Sequence, residues 1–298
     1  MSHLLAICHC VSAFHPGAGV SVSHLDLPVQ REKGSDLPMM QGSGFKGALR
    51  AVARGVLEKD VLNQVFGPEP EAAHEHAGAA RFTDLRLLLF PVKSLKGIFT
   101  WISSPAVLAR FQRELSFFGF KGLKDFEELR NSFDNLSDED ALVTSSCKIL
   151  LDDKLVLEEF AFNARKEDAL GKVAEEIAGL VFPQEPFFKD LLAHNLVIVS
   201  DTVMASFAEF SMEVVTRIKI NPETGTVDTK TGALWNEENL PAESVLYGFV
   251  LTESAPKGLS AKKVAETVKK LAGLHQFGGN ATVGRGLVRL NFYGEELS

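Results

Sequence analysis

The stretch Gly278-Gly279-Asn280-Ala281-Thr282-Val283-Gly284-Arg285-Gly286 runs directly into Leu287-Val288-Arg289-Leu290. Glycine permits positive φ and close backbone approach, and the apolar residues that follow predict a final strand. Because an amphipathic helix is predicted at 260–274, the chain ends as helix, glycine loop and strand. A dinucleotide-binding loop has the reverse order, and a Walker A loop would end in Lys-Ser/Thr. The glycine loop is therefore either a phosphate contact or a tight turn.

Upstream of this loop, strands and helices interleave without strict alternation. That order predicts an α+β fold rather than a doubly wound parallel sheet. A strand-helix-strand-strand-helix-strand core with large insertions would fit. Residues 4–12 and 80–90 are predicted as strands, and 214–220 with the segment after Thr226 as a hairpin. The clearest helix starts after Ser43, with apolar residues at helical spacing from Phe45 to Leu57.

Composition narrows the class of protein. The 298 residues are 45% hydrophobic and 23% charged, as in a folded globular protein. No apolar run approaches the length of a membrane span, and we identify no secretory signal. Three cysteines provide no disulfide framework, so a reducing cytoplasm is the expected location.

Charge is acidic overall but locally basic. A formal charge of −8 argues against a surface covered with positive charge. This net charge is compatible with one basic groove, because the local electrostatic field depends on where the charges lie. Lys46, Arg50 and Arg54 stand four residues apart on the predicted helix. They form either an anion-binding face, helped by the helix N-terminus near Ser43, or a solvated cationic face.

Two further groups of residues carry chemistry. Asp26, near His15 and His24, has three readings: it holds a divalent metal, it acts as a general acid or base, or it satisfies a backbone amide in a turn. Glu237 and Glu238 either share a metal or a proton, or form a solvated surface. Taken one at a time, these patterns favour the structural alternatives.

Several segments in this order are more specific than each alone. They are a His15–Gly17 turn, Asp26-Leu27-Pro28-Val29-Gln30-Arg31-Glu32, Gly42-Ser43-Gly44-Phe45-Lys46-Gly47-Ala48-Leu49-Arg50, Leu89-Phe90-Pro91-Val92-Lys93-Ser94-Leu95-Lys96-Gly97, Thr216-Arg217-Ile218-Lys219-Ile220, Gly232-Ala233-Leu234-Trp235 and the glycine loop. Together they resemble the RAMP superfamily of CRISPR-associated proteins. More narrowly, they resemble the repeated backbone subunit, the fourth, of type III-B (Cmr) effector complexes.

The resemblance implies a modified RRM-like (ferredoxin-like) palm with a protruding β-hairpin thumb. Residues 1–298 would form one domain, with insertions at about 66–79, 119–190 and 214–236. Either 66–79 or 214–236 would carry the thumb tip.

The resemblance also implies a function in antiviral defence. Copies of the chain would stack as a helical filament along a guide CRISPR RNA, with other subunits of the complex. They would cut a complementary single-stranded target RNA at regular intervals, as a metal-dependent endoribonuclease using Mg²⁺ or Mn²⁺. The cut would proceed by attack of a 2′-hydroxyl.

Site residues follow from the same resemblance. Asp26 is expected to be essential and to hold the metal, with His15 and one of Glu237 and Glu238 in the same site. The residues expected to bind RNA are Ser43, Lys46, Arg50, Arg54, Gly278, Gly279, Asn280, Gly284 and Arg285. Gly44 departs from the Gly-Ser-Ser pattern of the family, which removes one hydroxyl donor but keeps the backbone N–H groups.

Two alternatives remain at this point. One is an inert RNA-binding filament subunit, against which the presence of Asp26 argues. The other is a related single-chain nuclease that trims guide precursors with a catalytic histidine, for which His15 is the candidate.

Overall fold

The computed structural model describes residues 2–19, 25–72, 74–221, 223–227, 234–256 and 258–294. The helices of these residues are α1 (Gly42–Ala53), α2 (Lys59–Phe66), α3 (Pro105–Phe117), α4 (Phe126–Arg130), α5 (Asp168–Val181), α6 (Pro186–Asn195), α7 (Asp201–Phe210) and α8 (Ala261–Lys269). The strands are β1 (Ser2–Cys10), β2 (Met39–Met40), β3 (Ala80–Phe82), β4 (Leu85–Ser94), β5 (Ile98–Ser103), β6 (Asp140–Thr144), β7 (Lys154–Leu157), β8 (Phe160–Glu167), β9 (Val197–Ile198), β10 (Glu213–Ile218), β11 (Leu234–Asn239), β12 (Val245–Thr252), β13 (Gly273–Gln276) and β14 (Leu287–Tyr293).

Four antiparallel strands form the middle of the main sheet, in the order β14-β1-β12-β4. Strand β1 is buried from Leu4 to Cys10, which explains its continuous apolar sequence: both of its faces are covered. Helix α8 packs against β1, β12 and β14, and α5 also packs against β1. The mixed order of helices and strands confirms the predicted α+β class.

The second half of the sheet closes on itself. Strand β4 continues past β12 and pairs with β5, and the path runs on through β9, β6, β8 and β7. Ser94 at the end of β4 then pairs with Leu157 of β7, so this half resembles a barrel. Closure leaves few free strand edges in this region.

Helix α1 joins the sheet to the glycine loop. It begins at Gly42, one residue before the predicted cap Ser43, because the Gly42 N–H is taken by the Asp84 side chain at 2.7 Å. Phe45 is fully buried, with its ring edge against Phe82 and close to Phe277. Since Phe277 precedes the glycine loop, the helix start and the loop are packed as one unit.

Three predictions of local structure are wrong. The sequence after Pro186 predicts a short helix followed mainly by strands, but residues 201–210 form a second helix. The charged sequence of residues 119–141 predicts irregular structure, but β6 begins at its end. The helix predicted at 260–274 ends at Lys269, and Gly273–Gln276 pair with β14. None of the helices in the described ranges has the length and apolar character of a membrane span.

Candidate active site and RNA groove

A two-stranded hairpin separate from the main sheet forms the frame of the site. Strands β10 and β11 pair from Glu213–Asn239 to Ile218–Leu234. Because side chains alternate along a strand, Glu237 shares one face with Trp235, while Glu238 shares the other with Asn236. The two adjacent carboxylates therefore point in opposite directions.

Residues 26–31, the Asp26 segment, lie beside β11, and Leu27 forms an isolated parallel β-bridge with Glu237. The Leu27 N–H donates to the Asn236 carbonyl at 3.1 Å, and the Glu238 N–H donates to the Leu27 carbonyl at 3.0 Å. The exposed Asp26 accepts the Asn236 N–H at 2.8 Å through Oδ2. Asp26 is thus fixed to the hairpin while its carboxylate faces solvent.

His15 lies in the turn beside this segment. Its ring is buried, and Nδ1 donates to the Glu238 carbonyl at 2.7 Å, since a carbonyl can only accept. In the neutral form of the ring, this hydrogen bond leaves the lone pair on Nε2. A Cβ at Gly17 would lie 2.9 Å from Nε2, and one at Gly279 would lie 3.0 Å from the ring. Both glycines therefore leave room for the imidazole.

Glu237 is buried and held by three donors. Trp235 Nε1 donates to Oε1 at 2.8 Å, and Arg217 Nε and Asn280 Nδ2 donate to Oε2 at 2.7 and 3.0 Å. Burial raises the pKa of this carboxyl. The Trp235 hydrogen bond, the bond and charge of Arg217 and the charge of His15 outweigh burial and hold the pKa below its ordinary value. Glu237 is therefore an anion that fixes its neighbours.

Glu238 is buried on the opposite face of β11. Its Oε2 accepts the Val29 N–H at 3.0 Å, and its Oε1 accepts Arg31 Nη2 at 2.5 Å. Both partners belong to the Asp26 segment, just after Asp26 itself. The carboxylate therefore holds the backbone of the segment and does not approach the exposed side of Asp26.

The glycine loop contacts both His15 and the hairpin β10–β11. The Gly279 N–H donates to the His15 carbonyl at 2.9 Å, and Arg285 pairs with Glu213 at 2.7 Å. Gly278, Gly284 and Gly286 have positive φ, and a Cβ at Gly286 would collide with the Phe277 carbonyl at 1.9 Å. The loop is a specific turn that places Asn280 on Glu237, and it leaves the Arg285 guanidinium engaged by a carboxylate.

The predicted basic face of α1 lines an open groove of about 650 Å³. Ser43, Lys46 and Arg50 line one wall, and His76 and Arg81 line the other. Glu69 pairs with Arg50 at 3.3 Å and with Arg54 at 3.1 Å. Among the described residues Lys46 has no ion pair, and burial and the Arg50 charge lower its pKa.

Asp26 is the residue from which the sequence predicts metal ligation. In the described part of the chain, no group of three or more His, Cys, Asp and Glu side chains is arranged to hold a metal ion. One exposed carboxylate still suits Mg²⁺, which is commonly bound by one or two carboxylates with water and substrate phosphate. The one hydrogen bond that Asp26 accepts from the described residues goes to Oδ2, which makes Oδ1 the candidate ligand atom.

The structure thus places His15, Asp26, Glu237 and Asn280 at the hairpin. Ser43, Lys46 and Arg50 line the separate α1 groove, and Arg54 lies beyond its lining, paired with Glu69. His24 lies outside the described residues. Sequence reasoning missed Arg217 as a partner of Glu237 and Arg81 as a wall of the groove. Arg217 stood in a quoted segment, but only the hairpin register connects it to Glu237.

Comparison with known proteins identifies the family. A model of the RAMP superfamily matches residues 7–289. The chain belongs to the RAMP superfamily. A RAMP relative from Pyrococcus furiosus, the CRISPR system Cmr endoribonuclease Cmr4, is 34% identical over 97% of this chain and 95% of its own length. The predicted resemblance to the Cmr backbone subunit is confirmed.

Solved structures agree with this RAMP assignment. The crystal structure of oligomeric Cmr4 from Pyrococcus furiosus has a TM-score of 0.76 and 26% identity, covering 99% of this chain and 98% of that one. A type III-B Cmr-beta complex bound to cognate target RNA contains a chain with a TM-score of 0.75 and 20% identity, covering 97% and 96%. At that identity the second match supports the fold.

Proposed function

We propose that this chain is the repeated backbone subunit of a CRISPR RNA-guided type III-B effector complex and cleaves complementary target RNA. The observation that carries this proposal is the exposed Asp26, fixed to a hairpin beside a buried His15 and Glu237. The named activity of the Pyrococcus furiosus relative supports it. Its partners would be guide RNA, target RNA, further copies of itself and other Cmr subunits, in the cytoplasm.

The fold supports a ferredoxin-like palm. If β1, β4, β12 and β14 are numbered 1 to 4 in chain order, their order across the sheet is 4-1-3-2. Helix α1 falls between the first and second of these strands, and α8 between the third and fourth. This is the βαββαβ pattern of an RRM-like domain. We assign the whole chain, 1–298, to one domain with insertions.

The hairpin β10–β11 is the better candidate for the thumb. It pairs with neither half of the main sheet, and its outer face exposes Val214, Ile218 and Leu234. The alternative loop, 66–79, packs back on α1, where Arg50 donates to the Pro68 carbonyl at 3.2 Å. An apolar hairpin can displace a base from a stack, as inserted wedges do.

The α1 groove is the proposed path of the guide. Lys46, Arg50 and Ser43 offer donors to phosphates without reading bases. Sequence recognition then belongs to guide–target pairing. Arg54 and Arg285 are proposed as contacts that become available when RNA competes with Glu69 and Glu213.

The chemistry assigned to the site is in-line attack of a target 2′-hydroxyl on the adjacent phosphorus. The O2′–P bond forms and the P–O5′ bond breaks, which leaves a 2′,3′-cyclic phosphate and a 5′-hydroxyl. A divalent cation bound through Asp26 would stabilise the charge that develops on the phosphate. His15 Nε2 is the atom that we propose as acid, base or phosphate contact, and the proposed role of Glu237 is to keep Arg217 and Asn280 in place.

The test is cleavage by the reconstituted complex. Wild-type chain and Asp26→Asn are each assembled with guide RNA and the partner subunits, and a labelled complementary RNA is followed with Mg²⁺ or Mn²⁺. We expect evenly spaced cuts from wild type and a loss of about 100-fold or more in Asp26→Asn, with guide affinity unchanged. An uncut target with wild type would favour the inert filament subunit, and undiminished cutting by Asp26→Asn would move catalysis elsewhere.

A further inference from the structure

The motif Pro28-Val29-Gln30-Arg31 has no part in the proposed chemistry, yet each residue in it ties the Asp26 segment to another element. The Pro28 carbonyl accepts the Ala18 N–H at 2.9 Å. Gln30 bridges two elements, donating to the Gly17 carbonyl at 3.0 Å and accepting the N–H of the α1 cap Gln41 at 2.7 Å. The motif is therefore where the His15 turn, α1 and the hairpin meet.

Arg31 and Glu238 form the centre of this junction. Glu238 is 2% exposed, and its carboxylate takes the Val29 N–H and Arg31 Nη2. The same guanidinium donates to the Ala208 carbonyl at 3.2 Å from both Nη atoms, and to the Asp36 carbonyl at 2.8 Å. The planar guanidinium of Arg31 thus connects the Asp26 segment to β11 and to the end of α7.

The Asp26 carboxylate has few contacts of its own, although the neighbouring backbone is bonded to the hairpin. Its side chain has one hydrogen bond to a described residue, the Asn236 N–H, and it is exposed. The position of the carboxylate therefore follows the backbone from Asp26 to Val29. That backbone is fixed at one end by its pairing with β11 and at the other by Glu238.

We propose that Arg31 and Glu238 are positioning residues, which lock Asp26 in register with the hairpin β10–β11 so that cutting occurs where the hairpin meets the RNA. This inference rests on the proposed function of Asp26. Catalytic geometry is sensitive to small displacements, and about 1 Å can cost about 100-fold in rate. Because Glu238 is buried and Arg31 is half-buried, removing one partner leaves the other charge without its compensating partner.

The test uses the reconstituted complex under single-turnover conditions with saturating target. Glu238→Gln keeps an acceptor for the Val29 N–H but loses the charge that holds Arg31. We expect the cutting rate to fall about 10-fold or more, with guide affinity, target affinity and cut spacing within about 2-fold of wild type. Arg31→Lys should cut faster than Arg31→Ala, because lysine keeps the positive charge, although it lacks the two Nη donors of arginine.

A second readout separates positioning from general stability. Hydrogen–deuterium exchange should rise in the peptide covering residues 25–31 in Glu238→Gln and stay unchanged in β1 and α8. The matched control is Glu114→Gln. This change removes the charge of a half-buried glutamate of α3, whose carboxylate pairs with Arg86 of β4 at 2.6 Å. Glu114→Gln should alter neither exchange at 25–31 nor the cutting rate.

Asp26→Asn in the same assay keeps the two proposals distinguishable. If Asp26→Asn still cuts, the proposed function fails. If Asp26→Asn is inactive but Glu238→Gln and Arg31→Ala cut at the wild-type rate, the positioning proposal is overturned. It is also overturned if exchange at 25–31 does not change, or if Glu114→Gln lowers the rate equally.

Discussion

Glu237 and Glu238 differ in what surrounds them, although they are neighbours in the chain. Glu237 faces Arg217, Trp235 and Asn280, and Glu238 faces Val29 and Arg31. Both side chains are almost completely buried, so the negative charge of each is stabilised only by its hydrogen-bond donors. At the residue scale the site has one exposed carboxylate, Asp26, and two buried ones that hold structure around it.

The lowered pKa of Glu237 predicts a pH dependence of stability. A carboxyl whose pKa is lower when folded than when unfolded stabilises the fold above its ordinary pKa of 4.5, and that stabilisation is lost as pH falls through the folded value. Glu237→Gln should therefore be less stable than wild type by about 1.5–3 kcal/mol at pH 7. The gap should narrow below pH 4.5.

Thermal unfolding of both proteins from pH 7 to pH 3.5 measures this gap. A difference that stays constant or widens on acidification would show that the Glu237 charge does not contribute as described. Glu114→Gln serves as the comparison for a carboxylate that lies outside the site.

The sequence predicts His15, Asp26 and the pair Glu237–Glu238 as site residues, but it leaves open which glutamate belongs with Asp26. That choice depends on the register of β10 with β11, because a shift of one residue exchanges the two faces. Arg31 was visible in its motif, but its partner lies 207 residues away in sequence. Long-range ion pairs of this kind are set by tertiary packing, so local patterns do not reveal them.

At the scale of elements, helix α1 carries the basic face, and its charges are not equivalent. Arg54 and Arg50 share Glu69, whereas Lys46 has no ion pair among the described residues. Lys46 is thus the residue whose charge is most available to a phosphate. The positive charge of the groove is therefore available at Lys46, whereas Glu69 partly neutralises the charges of Arg50 and Arg54 further along the helix.

This difference predicts unequal effects on guide binding. Lys46→Ala should weaken binding and lower the slope of log Kd against log salt by about 0.7, the value for one phosphate contact on a single strand. Arg54→Ala should change both less, because RNA must first displace Glu69. Glu69→Gln should strengthen binding at low salt.

Guide affinity titrated over a range of salt concentrations tests this order. Arg130→Ala is the control, since Arg130 pairs with Glu127 on the exposed face of α4. An effect of Arg54→Ala equal to that of Lys46→Ala, or a salt slope unchanged in Lys46→Ala, would contradict the assigned path of the guide.

The elements that were predicted well are those with a long, clear period. Helix α1 is an example, with Phe45 and Leu49 buried on one face. Helix α7 was missed because the apolar run 196–200 before it favours a strand, although Ser200 caps the helix by accepting the Val203 N–H. Strand β6 was missed because its four buried residues follow a highly charged stretch, and its stability comes from pairing with β8 and β9.

At the scale of the whole molecule, an acidic chain carries a basic groove on α1 and, separate from it, the proposed catalytic carboxylate Asp26. The net charge of −8 predicted neither surface. Helix α1 and the glycine loop are packed together through Phe45 and Phe277, and the loop reaches the hairpin through Asn280 and Glu237. The fold thus connects the proposed guide path to the proposed cutting site by continuous packing.

Mixed assembly tests the central claim most directly. Wild-type chain and Asp26→Asn are combined in varied proportions with guide RNA and the partner subunits, and the cuts in an end-labelled target are quantified. If each copy cuts with its own Asp26, every cut should decline in proportion to the mutant fraction while the spacing stays constant. Cuts that persist in a fully mutant complex, or a spacing that changes with the proportion, would contradict the assignment of catalysis to this chain.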